Sequence, residues 1–136
     1  MRITKRTARK EATQNGFRSN FEFNFFKRIG ALKLKAQYEI DKLLFIQPEK
    51  RRNYIPDWKI KPYTYIETKG FFSSADRQKI LTVIKCNPEV KLYMLFQNSK
   101  VTLNKKSKTT YSNWCDKFGI EWSDIKDESK WRQWFD

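Results

Sequence analysis

The alternation of apolar and polar positions along the chain predicts a succession of helices and strands. Apolar side chains recur at helical spacing behind Ser19 and Glu22, which are spaced as in a capping box, so a helix is predicted over residues 19–32. The same kinds of signal predict two further helices. One is capped by Ser73 or Ser74 and runs to about Cys86, and the other covers residues 111–118. The chain therefore has helical segments near its start, middle and end.

Strand-length runs of apolar or alternating residues lie between these helices. They are residues 33–42, 54–60, 63–69 and 90–96. Pro62 separates the second and third runs and predicts a hairpin there, whereas the mostly apolar fourth run predicts a buried central strand. The order of elements favours an α/β fold in which a mixed β-sheet is flanked by helices.

Two segments have less regular patterns. The stretch at residues 47–53 is rich in lysine and arginine, and we interpret it as the best candidate for a linker. The aromatic tail after Ile120 predicts a short terminal helix that packs on the domain. At 136 residues, the chain has the size of a single domain.

The charge balance points to a polyanionic partner. Lysine and arginine number 29 against 15 acidic residues, which gives a net charge of +14 in a chain that is still 39% hydrophobic. The first ten residues hold five basic side chains and no apolar core of a leader, so residues 1–16 are predicted to be a basic arm or a merely solubilising tail. No run approaches the roughly 18 to 20 apolar residues of a membrane span, and we expect no membrane partner.

The cysteine and histidine contents narrow the possible chemistry. Cys86 and Cys115 are too few for a disulfide framework and lack zinc-site spacing, which favours a reducing, cytoplasmic location. The absence of histidine excludes catalytic triads and histidine general bases. Hydrolytic chemistry would have to use carboxylates, lysine and a hard metal ion.

One constellation supplies those groups. Residues two apart in a strand share a face, so Glu67 and Lys69 project together. A hairpin centred on Pro62 pairs positions that sum to 124, which places Asp57 opposite Glu67. Facing carboxylates suit a hard divalent cation, which can lower the pKa of a bound water, and Lys69 would lie beside it.

The same pattern has a structural interpretation. In a basic protein, an acid pair is often a partner for surface lysines, and a loose spacing of this kind also arises by chance. The predicted hairpin, the positive charge and the absence of a competing catalytic constellation favour the catalytic interpretation.

Four separated landmarks carry a resemblance to a known family. They are Phe17-Arg18-Ser19 with Glu22, Tyr54-Ile55-Pro56-Asp57, Glu67-Thr68-Lys69-Gly70, and Asp76-Arg77. In order and spacing, over residues 17–119, the chain resembles the phage endonuclease I family, Holliday-junction resolvases of the PD-(D/E)xK nuclease superfamily.

The resemblance implies roles for individual residues. Asp57 and Glu67 match the metal-binding acids, with the backbone carbonyl of Thr68 as a further ligand, and Lys69 matches the catalytic lysine. Glu22 matches a catalytic carboxylate on the first helix that can reach a metal, although it could instead be used to cap that helix. The implied cofactor is Mg²⁺, with Mn²⁺ able to substitute.

The resemblance also implies an architecture and a substrate. It predicts a restriction-endonuclease-like domain over residues 17–136 in a strand-exchanged, intertwined homodimer, with residues 41–53 as the bridge between protomers. A plain surface loop is the alternative for that segment. The implied substrate is branched DNA in an infected bacterial cell, with no small-molecule substrate.

Basic side chains outside the acid pair are the expected DNA contacts, with solvated surface as their alternative role. They are Arg6, Arg9, Lys10, Arg18, Lys50, Arg51, Arg52, Arg77, Lys105 and Lys106. The predicted activity is structure-selective, metal-dependent cleavage of four-way junctions. A sequence-directed duplex endonuclease of the same superfamily and a non-catalytic nucleic-acid-binding protein are the alternatives.

Overall fold

A computed structural model of the chain describes residues 12–47 and 50–136, and the chain divides into two compact units between Lys35 and Ala36. The N-terminal unit contains helix α1, Asn20–Ala31, which confirms the first predicted helix. Its N-cap is Ser19, whose side chain accepts the N–H of Glu22 at 3.1 Å. The capping signal in the sequence therefore sets the start of this helix.

The second unit, Ala36–Asp136, is built around a mixed sheet of five strands in the order β1-β4-β5-β6-β7. The strands are β1 Gln37–Tyr38, β4 Trp58–Lys61, β5 Thr64–Lys69, β6 Lys91–Phe96 and β7 Trp122–Asp124. The pairs β5–β6 and β6–β7 are parallel, and the other two pairs are antiparallel. A separate antiparallel hairpin consists of β2, Leu43–Gln47, and β3, Lys50–Tyr54.

Helices flank this sheet, as the sequence predicts. They are α2 Ser74–Cys86, α3 Tyr111–Lys117 and α4 Glu128–Arg132, the last continuing into a 3-10 turn at Gln133–Phe135. Ser73 and Asp76 form a full capping box at the start of α2, which fixes the predicted helix beginning. Gly119 follows α3 with φ +69°, a conformation that glycine adopts at little cost.

The β4–β5 hairpin has the predicted register. Trp58 pairs with Ile66 and Lys59 pairs with Tyr65, and both pairs sum to 124. The register then shifts by a bulge before Lys61, and Tyr63 closes the turn with φ +59°. The bulge lies on the turn side of the hairpin, so it leaves the register at the opposite end unchanged.

The main core lies on the face of the sheet that carries Glu67 and Lys69. In the β5–β6 ladder, Glu67 is level with Met94 and Lys69 with Phe96, and both of these β6 side chains are fully buried. Side chains from α2, α3 and the β2–β3 hairpin join this core. One acidic side chain, Glu67, and one basic side chain, Lys69, thus extend from an otherwise apolar face.

Three predicted segments differ from the structure. The strand predicted over residues 54–60 begins only at Trp58, and Tyr54 belongs to the preceding strand, β3. The strand predicted over residues 33–42 is reduced to Gln37–Tyr38, because Lys33 and Glu39 have φ values of +58° and +47°, which no regular strand contains. The linker predicted over residues 47–53 is wrong, since this stretch holds the end of β2 and most of β3.

The β2–β3 hairpin is part of the folded domain. Leu43 and Phe45 alternate with more exposed residues and are buried in the core, and Leu44 accepts a hydrogen bond from the side chain of Asn87 at 2.6 Å. The sequence does not show this alternation, because residues 43–46 are all apolar. The proposed role of residues 41–53 as a bridge between protomers stays a prediction.

The C-terminal tail contains a strand that the sequence does not reveal. β7 is only three residues long, too short for a periodic pattern. The predicted terminal helix is present as α4, where Trp131 is fully buried, and Trp134 stacks on Tyr93 with a centroid separation of 4.4 Å. Across residues 12–47 and 50–136, no helix combines the length and apolar character needed to cross a membrane.

Candidate active site

Two buried carboxylates meet at the end of the β4–β5 hairpin that lies away from its turn. Asp57 directly precedes β4 and is 3% exposed, and Glu67 lies within β5 and is 5% exposed. The N–H of Asp57 donates to Oε2 of Glu67 at 3.2 Å. The predicted register therefore brings the two acids together, although Asp57 itself lies outside the regular ladder.

Thr68 holds the Asp57 side chain in place. Oδ2 of Asp57 accepts the N–H of Thr68 at 2.9 Å and its hydroxyl at 2.7 Å. The N–H and C=O of one strand residue point toward the same strand edge, so the carbonyl of Thr68 also faces the Asp57 side. The sequence suggested the carbonyl of this residue, but not its two hydrogen bonds to Asp57.

Tyr54 holds the second acid. Its buried hydroxyl, at the end of β3, donates a short hydrogen bond to Oε2 of Glu67. Sequence reasoning placed Tyr54 within a landmark but gave it no function, because the direction of a hydroxyl depends on how β3 packs beside β5. The contact leaves Oε2 with two donors, Tyr54 and the Asp57 N–H.

The electrostatics of the pair favour a bound cation. Burial raises the pKa of Glu67 to about 8, and the nearby charge of Asp57 raises it as well, against the opposing effects of Lys69 and the two hydrogen-bond donors. Burial and the charge of Glu67 also raise the pKa of Tyr54 above its ordinary value. Ionisation of both acids is thus costly unless positive charge is added between them.

Lys69 lies between two carboxylates. Its Nζ is 3.9 Å from Oε1 of Glu67 and 3.5 Å from Oδ2 of Asp76, and its side chain is 23% exposed. Oδ2 of Asp76 also accepts the N–H of Ser73 at 3.4 Å, as part of the α2 capping box. Asp76 therefore connects the lysine to the beginning of a helix, a role that the sequence landmark did not show.

The donor set fits a hard divalent cation. Carboxylate oxygens from Asp57 and Glu67, with the carbonyl of Thr68 on the same edge, are the ligand types that Mg²⁺ and Mn²⁺ prefer. Within the described residues of the second unit, no group of three acidic, cysteine or histidine side chains surrounds a metal position. The candidate oxygen ligands there are two carboxylates and one peptide carbonyl.

Comparison with known proteins identifies the family to which this chain belongs. The model of the family described as phage endonuclease I matches residues 3–133. The chain belongs to the phage endonuclease I family. The family resemblance predicted from the sequence is thereby confirmed.

Two curated relatives cover most of the chain. Endodeoxyribonuclease 1 of Enterobacteria phage T3 is 35% identical over 108 residues, which are 79% of this chain and 71% of the relative. Endonuclease I of Escherichia phage T7 is 32% identical over 115 residues, or 85% of this chain and 77% of the relative. The acid pair and its lysine thus lie in a member of an endonuclease family.

Glu22, the fourth candidate catalytic residue, lies in the N-terminal unit of this phage endonuclease I family member. It occupies the first turn of α1, where its Oε2 accepts the N–H of Arg18 at 3.3 Å. This hydrogen bond supports the alternative in which Glu22 caps the start of the helix. Its catalytic and metal-binding roles stay predictions.

The predicted DNA contacts of this phage endonuclease I chain fall in several places. Arg6, Arg9 and Lys10 lie outside the described residues, as do the side chains of Lys50 and Arg51, whose backbones belong to β3. Arg18, Arg52, Lys105 and Lys106 are exposed. Arg77 is half-buried, and its Nη1 donates to the carbonyl of Phe72 at 2.7 Å. These DNA-binding roles stay predictions.

Proposed function

We propose that this chain is a metal-dependent DNA endonuclease that is selective for branched DNA and hydrolyses phosphodiesters at four-way junctions. The observation that carries the proposal is the buried Asp57–Glu67 pair with Lys69 beside it. The net charge of +14 suits a polyanionic substrate, and one relative is named an endodeoxyribonuclease.

Mg²⁺, or Mn²⁺ in its place, would be held by the carboxylates of Asp57 and Glu67 and by the carbonyl of Thr68, with Glu22 as a proposed further ligand. When bound, such an ion lowers the pKa of water and stabilises charge on the phosphodiester. Thr68 and Tyr54 orient the two acids through hydrogen bonds to one oxygen of each. Ligands that are oriented in advance need little rearrangement to hold the metal ion.

Lys69 contributes positive charge to the reaction. Its Nζ is held near Glu67 and Asp76, and its side chain is partly open to solvent, so it can meet an incoming phosphate. There it neutralises the negative charge that develops on the phosphate oxygens in the transition state. Hydrolysis then places the hydroxyl of water on phosphorus and its proton on the leaving oxygen.

Selectivity for branches follows from phosphate contacts arranged over two chains. Contacts to phosphates position a protein on DNA without reading the sequence. A homodimer, with residues 41–53 as its bridge, would present two sites to the two opposed strands of a four-way junction. We therefore propose a dimer that recognises shape and makes paired nicks.

The test is cleavage of a labelled immobile four-way junction beside a linear duplex of the same sequence, with Mg²⁺ or with EDTA. Wild-type protein should nick the junction only with Mg²⁺, and Lys69→Ala should reduce the rate roughly 10²- to 10⁴-fold. Lys126→Ala, which removes an exposed lysine from the C-terminal segment, should match wild type. Equal cleavage of both substrates would refute branch selectivity, and cutting in EDTA would refute the metal.

The dimer has a separate test. Sedimentation of the purified chain should give twice the mass of one chain, and two differently tagged copies should purify together after co-expression. A monomer that still makes paired nicks on a junction would contradict the two-site arrangement.

A further inference from the structure

An aromatic side chain lies exposed beside the candidate active site. Phe71 is 76% exposed, more than any other large apolar side chain in the described part of the chain. It follows Lys69 by two residues, with Gly70 between them. Its place two residues after Lys69, rather than its exposure alone, makes the ring a candidate contact for a bound substrate.

The exposure of Phe71 results from the anchoring of its neighbour. Phe72 is fully buried, and its ring meets Tyr111 and Trp114 edge-on at centroid distances of 5.7 and 5.1 Å. Its N–H donates to the hydroxyl of Tyr111 at 3.2 Å, and its carbonyl accepts from Arg77 at 2.7 Å. Because Phe72 is held by both backbone groups and by its ring, the preceding residue is directed to the surface.

The other side of Phe71 is also closely packed. A Cβ on Gly70 would lie 3.1 Å from Oε1 of Gln97, and the carbonyl of Lys69 accepts the N–H of Gln97 at 3.0 Å. The capping box of α2 begins at Ser73, two residues after Phe71. Phe71 is therefore exposed on an ordered turn between β5 and α2.

Phe71 lies close to Lys69, the residue proposed to meet the phosphate. Two residues of chain span at most about 7 Å, so Phe71 lies within that distance of Lys69, measured between Cα atoms. A DNA strand whose phosphate meets Lys69 would have its neighbouring nucleotides within reach of a side chain at this distance. Aromatic side chains beside a bound strand stack on bases whose faces are open.

We infer that Phe71 is a stacking platform for an unstacked base at the branch point, next to the phosphate that is cut. In continuous duplex, both faces of each base are covered by neighbours, whereas strand exchange at a junction can leave one face uncovered. Stacking on Phe71 therefore favours branched over linear DNA. This inference rests on the proposed function and adds a residue that determines specificity.

The experiment compares Phe71→Ala and Phe71→Trp with Tyr63→Ala as a matched control. Tyr63 is also an exposed aromatic, at 62%, but it precedes β5, whereas Phe71 follows it. The strand between them places the two positions roughly 20 Å apart or more. Each protein is assayed for kcat/KM on the four-way junction and on the linear duplex.

Phe71→Ala should lower kcat/KM on the junction roughly tenfold or more and leave any cleavage of the linear duplex nearly unchanged. Phe71→Trp should retain junction cleavage, because indole also stacks, and Tyr63→Ala should behave as wild type. Equal losses on both substrates would overturn the inference, since they would mean that the ring only positions Lys69.

A second measurement is independent of cleavage. A junction with 2-aminopurine at the branch point is bound in EDTA, and its fluorescence is recorded at saturating protein. Wild type should quench the probe by stacking, and Phe71→Ala should not. If wild type fails to cut junctions, the proposed function fails, and quenching still tests the platform.

The mass of Phe71→Ala is measured by sedimentation in parallel. An unchanged mass supports the platform. A change from dimer to monomer would overturn the inference, because it would show that the ring packs between protomers instead of on DNA.

Discussion

Residues of the β4–β5 hairpin belong to two groups of interacting side chains. Each group contains an acid, a tyrosine and a lysine. In one group, Oδ2 of Asp41 lies 2.8 Å from Nζ of Lys59 and accepts the hydroxyl of Tyr65 at 2.8 Å. In the other group, Glu67 accepts from Tyr54 and lies 3.9 Å from Nζ of Lys69. The two groups have similar compositions, but the pKa of the acid is shifted in opposite directions.

The hydrogen bonds from Lys59 and Tyr65 lower the pKa of Asp41, whereas burial and Asp57 raise that of Glu67 to about 8. The Asp41 group is a half-exposed ion pair that is satisfied within the chain, and such pairs contribute little to stability or binding. In the Glu67 group, burial and the charge of Asp57 make ionisation of Glu67 costly. Burial and a second acid, rather than the residue types themselves, distinguish the proposed cation site from a surface ion pair.

The largest expected difference between the groups is in catalysis. Asp57→Asn removes one charge from the acid pair and should reduce kcat on junctions roughly 10³-fold, because the metal loses a ligand. Lys59→Ala breaks only the Asp41 ion pair and should leave kcat within about twofold of wild type. Gel assays at saturating junction measure both. Near-normal cutting by Asp57→Asn would remove the distinction between the groups and favour a structural role for the acids.

A second difference is expected in the pH dependence of stability without metal. The folded-state pKa of Glu67, about 8, exceeds its ordinary value of 4.5, so the folded chain binds more protons between these values. The contribution of Glu67 to stability is therefore complete below about pH 4.5 and is lost as the pH rises through about 8. Each unit of pKa shift corresponds to about 1.4 kcal/mol, so urea unfolding in EDTA should show a decrease of a few kcal/mol between about pH 5 and pH 8.

Two controls sharpen this measurement. Glu67→Gln should flatten the pH dependence in EDTA, and excess Mg²⁺ at about pH 8 should restore stability to wild type but not to Glu67→Gln. Asp41 has a lowered pKa, so its contribution is present above the ordinary pKa of aspartate and is lost only as the pH falls into the acid range. A wild-type stability that rises from about pH 5 to pH 8 in EDTA would contradict the assigned electrostatics.

The smallest expected difference separates the two tyrosines. Tyr54→Phe removes a donor from Glu67, which weakens the orientation of a metal ligand, so the Mg²⁺ concentration for half-maximal cleavage should rise roughly tenfold. Tyr65→Phe removes one hydrogen bond to Asp41 and should cost about 1 kcal/mol of unfolding free energy without changing the Mg²⁺ requirement. A Mg²⁺ titration of cleavage measures the first effect, and urea unfolding measures the second. Equal Mg²⁺ requirements in the two variants would mean that Tyr54 is only a core residue.

The hairpin register was predictable because it depends on local spacing. One proline set the centre, and the pairing of Trp58 with Ile66 followed from it. The capped starts of α1 and α2 were likewise encoded within a few residues, at Ser19 and Ser73. Sequence therefore predicted where Asp57 and Glu67 meet.

The remaining parts of the site depend on packing between distant segments. β3 brings Tyr54 to Glu67, and its charged sequence hid the strand that positions the tyrosine. The contact of Asp76 with Lys69 requires α2 to begin beside the end of β5, which no local pattern encodes. The roles of Glu22 and of the basic clusters came from family resemblance and basic charge rather than from geometry.

Asp76 connects the N-terminal cap of α2 with Lys69 of the candidate active site. The same carboxylate oxygen caps α2 and contacts Lys69, so one side chain takes part both in folding and in the proposed chemistry. An engineer who replaced it with another good capping residue to raise thermal tolerance would also alter the surroundings of the lysine. Stabilising substitutions in this protein are therefore better made in the later turns of α2, where the helix can be improved without a change in the reaction it supports.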